Sequence, residues 1–253
     1  MKQPPLRLAM WSGPRNLSTA MMYSFAARTD CFVVDEPFYA AYLNETGIIH
    51  PMNDEVIAAG ETSFNKVADY CKTEQPEGKA LFYQKQMTQH LVSDLNLDWI
   101  ITLCNVFLIR DPSKVIASYH VKNEDPCLKD IGIKEQWDLY NTVYEATGTR
   151  PLVIDSDDIL VAPELMLTAL CKAVGIEFQQ QMLSWKAGPK PYDGVWAPHW
   201  YQSVWKSTGF GVPSRKTPTV PKHLASVQEK ATHYYDKLRQ FRVHHSHPEY
   251  HHD

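Results

Sequence analysis

Short apolar runs alternate along the chain with longer stretches whose apolar positions recur every three or four residues. That alternation is the pattern of a parallel sheet with covering helices. Arg7–Trp11 reads as a first strand, followed by a loop and a helix near Leu17–Arg28. Cys31–Val34 is a second short strand, ending at Asp35-Glu36-Pro37, and Ala80–Gln84 is a third. Cys104–Ile109 is a fourth, apolar enough to be buried on both faces. Pro112 suits the first turn of a helix reaching about Val121. Ile131–Thr147 reads as helical, Leu152–Asp155 as another strand, and Pro163–Val174 as a helix closed by Gly175. The region Phe38–Gly78 is irregular or helical and is placed to cover a site, and Lys222–Arg242 is a last helix. Between them, Lys186–Pro221 is rich in Gly, Pro and Trp with little periodicity. A loop that long in a compact domain is more often functional than idle.

The 253 residues suffice for one α/β domain with a buried core and are few for two. The expectation is a single domain over 1–253, with about 243–253 a flexible His-rich tail. That tail has metal-binding composition, but a frayed polar terminus is the simpler reading and no metal site is assigned to it. The formal charge of −4 argues against a nucleic-acid polymer as partner, although it leaves room for a local basic pocket. No apolar run approaches the length of a membrane span, and the first residues lack a signal-peptide core. The five cysteines are scattered without a CxxC pair. Together these features point to a cytoplasmic protein without membrane, structural zinc or disulfide framework.

Two segments carry chemistry. Trp11-Ser12-Gly13-Pro14-Arg15-Asn16-Leu17-Ser18-Thr19 joins the first strand to the first helix. Backbone N–H groups at a helix start, with the dipole behind them, attract an anion. Gly13 permits a tight turn, Arg15 supplies a fixed cation, and Ser18 and Thr19 offer hydroxyls. The second Gly and the Lys of a GxxxxGK[ST] loop are missing. Farther on, Val106-Phe107-Leu108-Ile109-Arg110-Asp111-Pro112 leads into a helix bearing Ser118. Arg110 at a strand end and Ser118 on the next helix can face one phosphate together.

This pair of motifs resembles the signature by which sulfotransferases bind 3′-phosphoadenosine 5′-phosphosulfate (PAPS). In that family a first-strand loop binds the 5′-phosphosulfate, while an Arg and a Ser eight positions apart bind the 3′-phosphate. Asp155-Ser156-Asp157-Asp158-Ile159, then Pro163 and Val174-Gly175-Ile176, resembles a further family segment, with Asp155 in place of its usual tyrosine. The resemblance runs from about residue 6 to 178. It implies a P-loop-type nucleotide-binding α/β fold with a central parallel sheet. PAPS is the implied co-substrate and a hydroxyl or amine of a small molecule the acceptor, with no metal required. Nucleotide contacts then fall to Ser12, Gly13, Pro14, Arg15, Asn16, Ser18 and Thr19, and to Arg110 and Ser118. Lys206, Ser207, Thr208 and Gly209 are candidates to complete the 3′-phosphate site.

Sulfuryl transfer needs a base, in-line geometry and cations for the developing charge. Arg15 is the main electrostatic group by resemblance. Lys85, at the end of the third strand, either reaches the transferring group or is a solvated strand-end charge. Glu36 is preferred as base, on its resemblance to the family's Glu-Pro element, and desolvation would have to raise it. His90 is the rival, an imidazole poised near neutrality but three residues beyond the usual K-x-H position, where Met87 stands. Asp35 is an orienting neighbour or a turn residue. Phe38, Tyr39, Trp196, His199, Trp200 and Tyr201 are candidate acceptor contacts, with Phe38–Gly78 and Lys186–Gly211 as the two walls of a cleft. Alternatives are a P-loop kinase, which would need Mg²⁺ and a loop Lys, and a non-catalytic nucleotide-binding protein of the same fold.

Overall fold

Five strands lie parallel in the order β2-β3-β1-β4-β5 in the computed structural model, which describes residues 4–92, 97–121, 123–213 and 218–244. In chain order they alternate with helices. Strand β1 (Leu6–Ser12) leads to α1 (Ser18–Ala26), then β2 (Cys31–Asp35). Helices α2 (Tyr39–Thr46), α3 (Asn53–Ala59) and α4 (Phe64–Thr73) follow, before β3 (Leu81–Met87) and β4 (Cys104–Ile109). Helices α5 (Pro112–His120), α6 (Leu128–Ile131) and α7 (Ile133–Thr147) precede β5 (Leu152–Asp155). Last come α8 (Ser156–Val161), α9 (Pro163–Ala173), the one-turn α10 (Ala197–Trp200) and α11 (Gln202–Trp205), and α12 (Ala225–Arg239).

The period of two along the strands explains both layers of core. Leu8 and Met10 of β1, with Val106 and Leu108 of β4, pack against residues of α1 and α9. Ala9 and Trp11, with Phe107 and Ile109, face α5, α7 and α12 on the other side. All of these are buried, as a parallel sheet covered on both faces requires. In register, the ends of β1, β3 and β4 stand level, with Ser12 opposite Met87 and Leu108. The chain switches direction across the sheet at β1, where a ligand crevice is expected at the carboxyl ends of the strands.

The expected α/β architecture is present, with three local corrections. Strand β3 runs on through Lys85-Gln86-Met87, every residue buried, whereas the polar letters suggested a strand ending at Gln84. They are tolerated because their polar atoms have partners: Gln84 Nε2 donates to the Cys71 carbonyl at 2.7 Å, and Gln86 bonds back to Gln84. The segment expected as one helix from Ile131 is divided at Gly132, whose φ of 72° closes α6 and opens α7. The last helix is shorter than Lys222–Arg242, since a single 3₁₀ turn occupies Lys222–Leu224. The His-rich tail expectation falls on 243–253, of which 245–253 lie outside the described residues.

Candidate active site

The loop after β1 is held by side chains from α7, α8 and the turn after β3. Gln136 Nε2 donates to the Trp11 and Leu108 carbonyls, both at 2.9 Å. Ser156 Oγ lies 2.7 Å from the Asn16 carbonyl and 2.8 Å from that of Ile109, and Thr88 Oγ1 donates to the Ser12 carbonyl. Gly13 lies so close to α6 that an added Cβ would stand 2.2 Å from the Ile131 carbonyl oxygen. Arg15 and Leu17 are left-handed at φ 61° and 68°, and Glu36 after β2 has φ 41°. Such conformations cost about 1–2 kcal/mol each for non-glycine residues. Strain of this kind collects at functional sites, and all three residues line one cavity of about 360 Å³ at the carboxyl edge of the sheet.

One end of that cavity is cationic. Arg15 Nε donates to Ser118 Oγ at 2.9 Å, and Arg110 donates to the Arg15 carbonyl at 2.7 Å. Neither arginine is ion-paired among the described residues. Arg110 Nε is buried without a hydrogen-bond partner. Burial and the neighbouring Arg110 push the Arg15 guanidinium below its ordinary value, the mark of two like charges held together. The sequence reading divided Arg15 from Arg110 and Ser118, one for each phosphate end. In the structure Arg15 bonds to Ser118 on α5 and Arg110 to the Arg15 carbonyl, so the three residues stand together.

The other end is built around Lys85. It is 1% exposed, not the solvated strand-end charge that the letters allowed. Its ammonium lies 2.8 Å from Asp35 Oδ1, 2.6 Å from Glu36 Oε1 and 2.5 Å from the Tyr201 hydroxyl. Burial alone would push its pKa down, but the two carboxylates prevail and hold it above the ordinary lysine range. The Tyr201 hydroxyl donates to Asp35, at 2.7 Å from Oδ2, and accepts from Trp196 Nε1. Glu36 Oε2 is 3.9 Å from His90 Nε2. The His90 ring is stacked on Tyr39 at 4.6 Å and on Tyr42 at 4.9 Å. Burial first, then nearby His50 and Lys85, drive it well below the ordinary imidazole range.

Of the sequence candidates, Pro14, Arg15, Asn16, Ser18, Thr19 and Arg110 line the cavity at the arginine end. Glu36, Tyr39, Lys85, His90, Trp196, Trp200 and Tyr201 line the rest, with Ser207 and Gly209 at the edge. Others stand elsewhere. Ser12 is buried against Met87 Sδ, and Gly13 packs on α6. Phe38 stacks on Trp99 at 5.2 Å inside the core, so it is not an acceptor contact. His199 packs edgewise on Trp200 and is absent from the lining. Lys206 and Thr208 are exposed outside the cavity. Asn16 also has a scaffolding bond, its Nδ2 donating to the Leu108 carbonyl at 3.2 Å. His50 and Tyr119 line the cavity without having been singled out. Only their neighbourhood, not a motif, marked them. From the segments expected as walls, Tyr39 and His50 of Phe38–Gly78 and Trp196, Trp200 and Tyr201 of Lys186–Gly211 line the cavity. Among the described residues no cluster of His, Cys, Asp and Glu is placed to hold a metal ion, and no helix is long and apolar enough to cross a membrane.

A family model described as a sulfotransferase domain matches residues 6–241. Two Arabidopsis thaliana proteins are similar over 229 residues, 90% of this chain: branched-chain-amino-acid aminotransferase-like protein 1 at 39% identity and protein 2 at 36%. The match takes in 41% and 40% of those proteins, so the chain spans about two fifths of their length. Among solved structures, a sulfotransferase from Alicyclobacillus acidocaldarius superposes with a TM-score of 0.52 at 8% identity, over 95% of this chain and 98% of that one. The sulfotransferase domain of the Synechococcus PCC 7002 olefin synthase gives 0.51 at 16% identity, over 92% and 96%. At these identities the two structures establish the fold alone.

Proposed function

The chain belongs to the sulfotransferase domain family, and from that premise we propose that it moves a sulfuryl group from PAPS to a hydroxyl or amine of a small acceptor. The observation that carries this reading is a cavity that joins two unpaired arginines to a carboxylate braced by a buried lysine. The arginine end fits a phosphate-bearing donor. Arg110 offers a buried, unpartnered Nε, Ser118 a hydroxyl, and the start of α1 brings backbone N–H groups with Ser18 and Thr19.

In the transfer, the bond from sulfur to the bridging phosphosulfate oxygen breaks as a bond from the acceptor oxygen or nitrogen to sulfur forms. The acceptor proton passes to Glu36, and the charge on the departing phosphate oxygen falls to the arginine cluster. Glu36 is favoured over His90 because its carboxylate lines the cavity with Oε2 free of any hydrogen bond among the described residues. The imidazole is pressed between two tyrosine rings and is a poor proton acceptor at its lowered pKa. The aromatic wall of Tyr39, Trp196 and Trp200 supplies the acceptor surface.

Calorimetric titration with 3′-phosphoadenosine 5′-phosphate (PAP) against ADP, without added metal, tests the donor site. PAP is expected to bind at least about tenfold more tightly, and Arg110→Ala to remove that preference. Equal affinity for both nucleotides, or binding only with Mg²⁺, would reject the reading.

A further inference from the structure

The brace around Lys85 has its hydrogen-bonding capacity filled almost completely. An ammonium has three donors, and Lys85 directs one each to Asp35, Glu36 and Tyr201. A phenol offers one donor and two acceptor positions. Tyr201 donates to Asp35 and accepts from Lys85 and from Trp196 Nε1 at 3.2 Å. Asp35 also receives the Gly194 N–H at 3.1 Å. Within this group the carboxylate oxygen left without a hydrogen bond is Glu36 Oε2, on a side chain that lines the cavity.

We propose that Tyr201 is a positioning residue: its hydroxyl engages Lys85 and Asp35 together, commits the ammonium to Glu36 and withholds it from the sulfuryl donor. The proposal rests on the sulfuryl-transfer reading for what the brace achieves, while the brace itself rests on geometry. A lone cation between two carboxylates, beside a cavity built for a polyanion, has competing partners. Tyr201 supplies the third acceptor that fills the ammonium and the donor that keeps Asp35 satisfied. The donor charge is then left to Arg15 and Arg110. Tyr201 arrives on the long loop, which is pinned at Asp193 by the Tyr23 hydroxyl at 2.7 Å and by Trp205 Nε1 at 2.8 Å. The acceptor wall and the base are therefore one mechanical unit.

Other titratable groups face the brace: Tyr83 from β3, Tyr39 from α2, and His50 and His90 across the cavity. Burial drives the Asp35 carboxyl above its ordinary value; Lys85 offsets part of this, Glu36 adds to it, and the Tyr201 hydroxyl also pulls it down. Without that hydroxyl, Asp35 takes a proton at higher pH and its hold on Lys85 weakens.

Tyr201→Phe in the full chain tests the proposal. Wild type is expected to show a slowly exchanging ¹H–¹⁵N ammonium signal, assigned to Lys85 by its loss in Lys85→Arg, and Tyr201→Phe to lose it. Affinity for PAP stays within about twofold, since the arginine cluster is untouched. With p-nitrophenol as the probe acceptor, kcat falls about tenfold, as one lost hydrogen bond to charged groups gives, and KM is little changed. The acid limb of the pH profile moves to higher pH. Trp196→Phe removes the indole donor together with part of the acceptor wall; its ammonium signal and acid limb, read without regard to KM, shift less and stand in if Tyr201→Phe does not fold. An ammonium signal that persists in both variants overturns the proposal. So does a raised KM with kcat and acid limb unmoved, which makes Tyr201 an acceptor contact. Failure of wild type to bind PAP would remove the sulfuryl-transfer reading instead, and the ammonium signal would still decide the brace.

Discussion

At the scale of single residues, the site depends on side chains forced into unfavourable places. Glu36 has φ 41° and sits between a buried lysine and an open cavity. If it takes the acceptor proton, Glu36→Gln keeps the shape and the hydrogen bond from Lys85 but removes the base. The expected outcome is a loss in kcat of about 10²–10⁴-fold with PAP affinity unchanged, measured by single-turnover kinetics and calorimetry. An equal loss in PAP affinity would make Glu36 a binding residue. The sequence made Arg15, Glu36, Arg110 and Ser118 visible because each belongs to a motif that is local in the chain. Tyr201 was legible only as one aromatic among several, since its meaning comes from a hydroxyl placed against Asp35, 166 positions away. Gln136 and Ser156, which hold the loop between β1 and α1, were read as helix and motif residues for the same reason.

At the scale of elements, the loop between β1 and α1 shows how packing and binding are joined. Gly13 is needed for closeness, because its α-carbon lies against the end of α6. Gly13→Ala places a methyl group into the Ile131 carbonyl and must push the loop outward or displace α6. Because the loop carries Arg15 while Arg110 bonds to the Arg15 carbonyl, the displacement disturbs both arginines together. PAP affinity is expected to fall by about tenfold or more, with a smaller loss of thermal stability, measured by calorimetry and thermal unfolding. Unchanged affinity would mean that the loop adapts and the cluster forms without it. Strands were the easiest elements to read, and Cys104–Ile109 and Leu152–Asp155 have the boundaries expected of them. The misreading at β3 was to end the strand at Gln84 and leave Lys85 the option of a solvated charge, when Gln84, Lys85 and Gln86 are all buried. Their burial is sustained by partners from α4, β2 and the late loop, which the sequence places far apart.

At the scale of the whole molecule, two sets of buried groups oppose one another in their response to pH. His90 and His50 are pushed below the ordinary imidazole range by burial. Their unfolded counterparts titrate near 6.5, so the stability they contribute is full above that pH and falls as acid protonates the unfolded chain. Asp155 behaves in the reverse way. Burial raises it to about 6 despite hydrogen bonds from Tyr235 and the Asp157 N–H. Its contribution is full below the unfolded value of about 3.9 and is lost as pH rises through its folded value. Glu135, also raised by burial, acts in the same sense. Each fully shifted group contributes a slope of up to about 1.4 kcal/mol per pH unit, and the two sets act in opposite senses as pH falls below about 6. His90→Gln removes one side of that balance. Relative to wild type, its urea midpoint should rise as pH is lowered from about 6 to 4.5, while Asp155→Asn should show a steeper acid decline. Parallel pH curves for wild type and His90→Gln would mean that His90 titrates alike in the folded and unfolded chain. Its burial between Tyr39 and Tyr42 would then carry no electrostatic cost, and the argument against it as the base would be withdrawn.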